Sequence, residues 1–350
     1  GAYQLLPDPS AAIAVQSGAT PKAVAARTAG QASIASFDLR QLVDDRREGN
    51  EPVMSQAAYA VRLAKTANAL CAYAKSPDVV GLAGVENKAT LADLAAAANA
   101  NDGNTLFGNA CSGSPKYVAH MVDGASRKDL GFLVSTAQVR PGVARVDVQS
   151  VAQIGAGATF RNRDGSSEAL SARPALLLVA KINDANGASE TVSIVASQLD
   201  ALEGNLSAPG AKGWATQGDY LRAKRAAQAG YLAGWIQARQ VQEPAGKLVV
   251  LGDFNASEFN DGHADLLGLV TGRPTARGKV LSFLGSPVAS PLTNMTTRLP
   301  KAERYTVTRD GNAAPRVDQR IHWSTRSPPI RTTTGIQNWT SRRMRFMRSA

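Results

Sequence analysis

The 350-residue chain carries 39 Lys and Arg against 28 Asp and Glu, a net charge of +11, with 44% hydrophobic residues and two cysteines. That length is enough to bury one large core or two modest ones, and no uninterrupted apolar run reaches membrane-spanning length, so a soluble globular protein is expected. Cys71 and Cys111, with no CxxC pair and no Cys/His cluster, argue against a zinc site and read as one long-range disulfide in an exported protein rather than as two buried thiols.

The charge is unevenly placed. From Ala314 to Ala350 eight Arg stand against one Asp, so this segment holds +7 of the total and the rest of the chain only +4. The basic character belongs to the tail, and it says little about nucleic-acid binding by the body. Residues 1–31, rich in Ala, Pro, Ser and Gly without a sustained period, read as a linker or an arm packed on the surface. The chain opens at Gly1 with neither Met nor a signal peptide, which reads as a processed mature form or a trimmed one. A first core strand is expected over 32–39, where Asp38 is either a site residue or the start of the loop 40–50. Apolar residues three and four apart predict an amphipathic helix over 54–75, ended by Ser76-Pro77. A strand over 79–87 leads into a helix over 88–100. Residues 117–123 and 129–134 read as neighbouring strands, with Lys128 and Asp129 either at a cleft or in a surface turn. Strands follow over 175–180 and 191–200, then a glycine-rich loop over 204–218 and a helix over 219–240.

Lys247–Ala256 organises the rest. Four apolar residues, Leu248 to Leu251, make a strand buried on both faces, Gly252 ends it, and Asp253 and Asn255 then project to one side if the extended path continues, with Phe254 turned into the core. A carboxylate and a carboxamide at a strand end suit the orientation of a water or a phosphate oxygen; turn chemistry is the plainer reading.

Gly252-Asp-Phe-Asn-Ala256 followed by Glu258-Phe-Asn-Asp-Gly262 resembles the signature of the endonuclease/exonuclease/phosphatase superfamily, the deoxyribonuclease I-like fold, and especially its secreted bacterial branch. Further matches run in unbroken order from about 32 to 325: Ser36-Phe37-Asp38, Val79-Val-Gly-Leu-Ala-Gly-Val-Glu-Asn87, Arg173-Pro174, Arg222-Ala-Lys-Arg-Ala-Ala-Gln-Ala229, Glu303-Arg-Tyr305 and Asp310-Gly-Asn312. The resemblance implies an α/β (α+β) four-layer sandwich, two mainly antiparallel sheets face to face with helices outside and a cleft along the strand ends. It further implies a domain over 32–325 between the arm 1–31 and a basic tail 326–350, and a secreted or periplasmic location.

The chemistry implied is phosphoester hydrolysis with Mg²⁺ or Mn²⁺, in which Asp253 and Asn255 activate and place water and Asp318 orients a terminal His. This chain departs from that pattern. The metal-binding Glu falls on Gly84, the Asn of the Ser-Phe-Asn motif on Asp38, and the Asn-His of the 191–200 strand on Ser197 and Gln198. No histidine follows His322, so Asp318 has no terminal partner in the sequence. Gln198 donates a hydrogen bond but carries no positive charge, and removing one transition-state donor already costs about 10²- to 10³-fold in rate. The expectation is therefore a pseudo-hydrolase whose retained core binds or assembles. Two alternatives stand beside it. One is a surviving Mg²⁺-dependent nuclease or phosphatase with Asp38, Asp253 and Glu86 as metal ligands, Asn255, Gln198 and Asp318 as catalytic groups, and Arg173 and Ser197 at the substrate. The other is an extracellular assembly protein acting through its two termini. A nucleic acid or other phosphoester is the expected ligand, and the basic tail is either a polyanion-binding segment or a solvated end.

Overall fold

The computed structural model describes residues 23–28, 30–46, 53–100, 111, 114–124, 128–256 and 262–298, with the backbone of three short strands at 321–323, 334–336 and 345–347. The first half of the chain supplies β1 (Ile34–Leu42), α1 (Gln56–Asn68), β2 (Val79–Val85), α2 (Lys88–Asn99), β3 (Tyr117–Met121) and β4 (Asp129–Ser135). Two small hairpins, β5 (Gln138–Arg140) with β6 (Val143–Ala144) and β8 (Thr159–Arg161) with β9 (Ser167–Ala169), flank β7 (Val146–Ile154). There follow β10 (Ala175–Asn183), β11 (Ser189–Gln198), α3 (Gln217–Gln242), β12 (Lys247–Asp253), α4 (Leu266–Thr271), β13 (Thr293–Asn294), β14 (Ile321–Trp323), β15 (Thr334–Ile336) and β16 (Arg345–Met347).

One sheet has the order β1-β2-β4-β3 and the other β13-β14-β12-β11-β10-β7. Each contains one parallel pair, β1 with β2 and β11 with β12, and is otherwise antiparallel. Alternate residues of β10, β11 and β12, among them Leu178, Ile194 and Leu251, pack into one buried cluster with β1, β2 and β4. Their neighbours Val195, Leu248 and Val250 pack with Leu232 and Ile236 of α3 and Leu267 and Val270 of α4. Leu91 and Leu94 of α2 and Tyr59 of α1 close the other side of the first sheet. The layers are therefore helix, sheet, sheet, helix, as period-2 strands with apolar residues on both faces require. At the sheet–sheet contact a Cβ on Gly81 would collide with the Leu251 side chain, so glycine is what lets β2 approach β12.

The helices begin where their caps stand. Ser55 Oγ accepts from Ala58 N at 3.2 Å, Asn87 Oδ1 from Thr90 N at 2.9 Å and Thr216 Oγ1 from Asp219 N at 3.0 Å. α1 continues as a π-helical turn over Ala69–Tyr73, and Lys75 and Ser76, both left-handed at φ 58° and 49°, turn the chain into β2. Cys71 in that turn is disulfide-bonded to Cys111, with Cα atoms 4.6 Å apart, as the cysteine count suggests.

The end of the sandwich where β2 begins is closed by a buried ion pair. Asp78, fully buried, accepts from Arg145 Nε at 2.8 Å and Nη2 at 2.9 Å, and from Ser33 N at 2.7 Å. Arg145 also donates to the carbonyls of Asn183, at 2.6 Å, and Gln31. Arg27 reaches Asp78 at 3.4 Å, and the neighbouring Val24 is buried, so residues 23–28 pack on the body. The remainder of the arm, residues 1–22, and the tail outside β15 and β16 lie beyond the described residues. No helix among the described residues is long and apolar enough to cross a membrane.

Candidate functional site

The opposite end of the sandwich gathers the polar residues. β1, β2, β11 and β12 all finish there, and β4 and β10 begin there. Asp253 is the last residue of β12 and pairs in register with Gln198, the last of β11. It falls on the same face as Leu251, the face turned to the first sheet. The path beyond is not extended, which corrects the expectation that Asp253 and Asn255 project side by side. Asn255 is left-handed at φ 49°, a conformation asparagine tolerates, and its side chain folds back. Its backbone N donates to Asp253 Oδ1 at 2.9 Å, and its Nδ2 donates to Asp253 Oδ2 at 3.1 Å and to the Leu199 carbonyl at 2.8 Å. Gln198 Nε2 adds a third donor to Asp253 at 3.3 Å. Phe254 is fully buried in the outer core, as the pattern predicts. Gly252 sits at φ 127°, where a Cβ would run into the Ser197 carbonyl.

α3 supports this half from behind. Arg225, 4% exposed, donates through Nη2 to the Asn255 carbonyl. Gln228, also buried, accepts from Asp200 N at 3.0 Å and donates to the Leu170 carbonyl at 2.9 Å. The Arg-x-Lys-Arg-x-x-Gln-Ala pattern is visible in the sequence, but its positioning role is not, because the partners are carbonyls 30 and 58 residues away. Ser197 is buried on the α3 side of β11. It lines a small pocket with Gln198, Arg173, Ser171, Gln228 and Tyr231 rather than facing the first sheet.

The first-sheet half is built differently. Asp38 pairs with Ala83, two residues past Gly81, so it lies on the face turned to β12. Its Oδ1 accepts from Arg40 N at 2.8 Å. The β1–β2 register then shifts, and Arg40 and Gln41 are left-handed at φ 48° and 69°. Gly84 opposite them has φ 78°, and a Cβ placed there would lie 2.7 Å from Gln41 N, 3.2 Å from Arg40 N and 3.4 Å from Asp38 Oδ1. The place from which a glutamate stem would start is therefore taken by main chain. Glu86, 3% exposed, accepts from Asp44 N at 2.6 Å through Oε2 and serves the turn after β1.

Arg173 stands at the start of β10. It lies 3.6 Å from Asp200 Oδ1 and within electrostatic reach of Asp129, the 5%-exposed first residue of β4. Burial raises the Asp129 pKa, the Gly124 amide and Arg173 oppose the rise, and Asp123 adds to it. Asp129 is thus a buried residue of the sheet end, not part of a surface turn. On the β8–β9 hairpin, Glu168 receives Lys212, Lys224 at 3.2 Å and the Tyr220 hydroxyl at 2.6 Å, next to stacked Phe160 and Trp214. Burial works to raise the Glu168 pKa, but those three donors outweigh it and hold it at about 2.

Among the described residues the donors for a divalent cation are sparse: Gly84 offers no oxygen, Glu86 Oε2 accepts from Asp44 N, and no group of three or more His, Cys, Asp or Glu able to hold a metal occurs. Asp38 and Asp253 share the inter-sheet side without a third ligand from Glu86. Asp318 and residues 257–261 lie outside the described residues, as do 303–312; β14, which follows Asp318, pairs antiparallel with β12 from Leu251 to Val249.

Two face-to-face mixed sheets, outer helices, and a Gly-Asp-Phe-Asn turn at the end of a central strand reproduce the architecture that the sequence motifs imply. This layer order is the one that the resemblance to the deoxyribonuclease I-like fold implies. No family model and no curated protein matches the chain. Solved structures similar to it include truncated TDP2 from Caenorhabditis elegans, at 14% identity over 86% of each chain with a TM-score of 0.47. Two from Bacteroides thetaiotaomicron are an endonuclease/exonuclease/phosphatase family protein, at 12% identity over 84% of this chain and 83% of that one with a TM-score of 0.45, and a mannosyl-6-phosphatase, at 12% identity over 88% of each with a TM-score of 0.45. Similarity this distant bears on neither activity nor ligand.

Proposed function

We propose that the chain is a degenerate phosphoesterase-like protein in which metal-dependent hydrolysis is lost or severely weakened and the cleft serves binding. The observation that carries this reading is the main chain of Arg40 and Gln41 occupying the space a side chain at position 84 would enter. Losing a ligand by substitution leaves a gap that water fills, whereas here the gap has been closed by backbone. The neutral Gln198 beside Asp253 supports the same reading, since it supplies a donor but no charge for a developing phosphorane. The Cys71–Cys111 disulfide supports a location outside the reducing cytosol. The test is calorimetric titration with Mg²⁺ and Mn²⁺ run beside plasmid nicking and hydrolysis of a chromogenic phosphodiester. Neither saturable metal binding nor turnover is expected; both together would overturn the reading.

One observation favours a surviving hydrolase as the second reading. Asp38 Oδ1 lies 3.4 Å from the point where the missing stem would begin, so a carboxylate stands close to the vacated position. Under that reading Asp38→Ala and Asp253→Ala each abolish Mg²⁺-dependent turnover.

A further inference from the structure

Beyond α4 the chain leaves the body at Gly272 and rejoins it at the buried Val288, and hydrogen bonds fix the course between. Asp265 closes the base, accepting from Gly268 N at 2.7 Å, Thr275 N at 2.8 Å and Thr275 Oγ1 at 2.7 Å. Gly278, at φ 87°, turns the tip, where Lys279 N donates to the Ala276 carbonyl at 3.1 Å. The returning limb is tied at two successive amides, Leu281 N to the Gly262 carbonyl at 3.0 Å and Ser282 N to the His263 carbonyl at 2.7 Å. Leu284 and Val288 then pack into the α3–α4 core, on the face of the second sheet turned away from the first. On this tied backbone Leu281 is 81% exposed, more than any other exposed large apolar side chain among the described residues. Arg273, Arg277 and Lys279 stand exposed on the same loop, and among the described residues none of them forms an ion pair. Arg277 lies 4.6 Å over the Phe283 ring, which fixes it against the loop. From 262 to 298 the chain holds four Lys and Arg against Asp265 alone, and Asp265 is occupied at the base.

We propose that this loop, residues 273–284, docks on an anionic lipid surface, with Leu281 entering the headgroup layer and Arg273, Arg277 and Lys279 meeting the acidic headgroups. The tied amides hold the leucine outward, and a bilayer removes it from water without any movement of the loop. A lipid interface asks for no complementary pocket: an apolar side chain buries at the acyl boundary while neighbouring Lys and Arg are drawn to the negative surface potential. A protein partner needs a broad patch instead, roughly 800 Å² on each side with an apolar centre. The other exposed large apolar residues described, Val118, Val122, Tyr231 and Val241, all lie outside this loop. The docking is peripheral, and because it uses the α4 side of the second sheet it asks nothing of the strand-end cleft or of a metal.

The full chain is sedimented with vesicles of phosphatidylcholine alone and of phosphatidylcholine mixed with phosphatidylglycerol. Because residues 314–350 carry eight Arg against one Asp, binding alone does not decide, and the loop variants do. Binding to the anionic vesicles only is expected, about 5-fold weaker in each of Arg277→Gln and Lys279→Gln and about 10-fold weaker in Leu281→Ser. All three side chains stand in solvent, so the melting temperatures of the variants should match the parent. A nitrobenzoxadiazole dye on Leu281→Cys, in a chain whose own cysteines are disulfide-bonded, should brighten and shift to the blue with anionic vesicles. No vesicle binding, equal binding to neutral vesicles, or a dye that does not respond would each overturn the proposal. Parent-like affinity in Leu281→Ser with weakening in the two cation variants would mark a surface for polyanions or an acidic protein, which overturns it as well.

Discussion

On the β12 side of the cleft the polar groups are fixed by one another and by a helix behind them, whereas on the β1 side the backbone has been rerouted. Asp253 takes donors from Asn255 and Gln198, and Arg225 clamps the Asn255 carbonyl, so each group restricts the next. Opposite, two left-handed residues and a positive-φ glycine stand where regular parallel pairing breaks off, and Asp38 accepts from the Arg40 amide. The two halves differ in what a substitution does to each.

The largest expected effect tests the stiff half. Gly252→Ala puts a Cβ against the Ser197 carbonyl in a backbone region that L-residues avoid, and should cost about 3 to 5 kcal/mol in urea denaturation. A change under about 1 kcal/mol would show that the β11–β12 end is looser than the contacts imply. Arg225→Ala removes a buried donor from the Asn255 carbonyl and should cost about 2 to 3 kcal/mol, with amide exchange at residues 253–256 quickening first. Global destabilisation with no local signal would break the link between α3 and the turn.

The rerouted half gives a smaller effect. Gly84→Glu meets Gln41 N at 2.7 Å from φ 78° and should cost about 2 kcal/mol while leaving Mg²⁺ titrations flat. Metal binding regained at unchanged stability would mean that the turn yields easily and that the site is open after all. The smallest effect lies on the β8–β9 hairpin. Glu168 is held at about 2 from an ordinary 4.5, so its contribution is complete above pH 4.5 and fades as pH falls towards 2. Glu168→Gln should therefore lose about 1 kcal/mol at pH 7, after discounting for the exposed Lys212, and converge on the parent near pH 2. A gap that widens on acidification would reverse the sign and remove Glu168 as an ion-pair acceptor.

Local signals make much of this legible in the sequence. Strands such as 79–85 and 247–253 are largely apolar runs with a glycine next to last, and the helices start at Ser55, Asn87 and Thr216, whose side chains close their own first turns. β7 carries little local signal because its residues are mostly exposed or half-exposed, and it becomes a strand by pairing along the length of β10. The Asp78–Arg145 clamp joins residues 67 apart that no motif connects.

The sequence by itself determined the main buried strands and the three long helices, the candidate cysteine pair, the burial of Phe254, and the absence of a metal-ligating side chain at Gly84, because each follows from residue type and short-range spacing. Tertiary structure alone decided that Asn255 folds back on Asp253, that Arg225 and Gln228 reach carbonyls of distant loops, and that the backbone at 40 and 41 closes the space beside Gly84. Those outcomes depend on where two sheets and a helix end relative to one another. A left-handed turn at Arg40 and Gln41 carries no compositional mark, and only the packed strand opposite makes it the stable path.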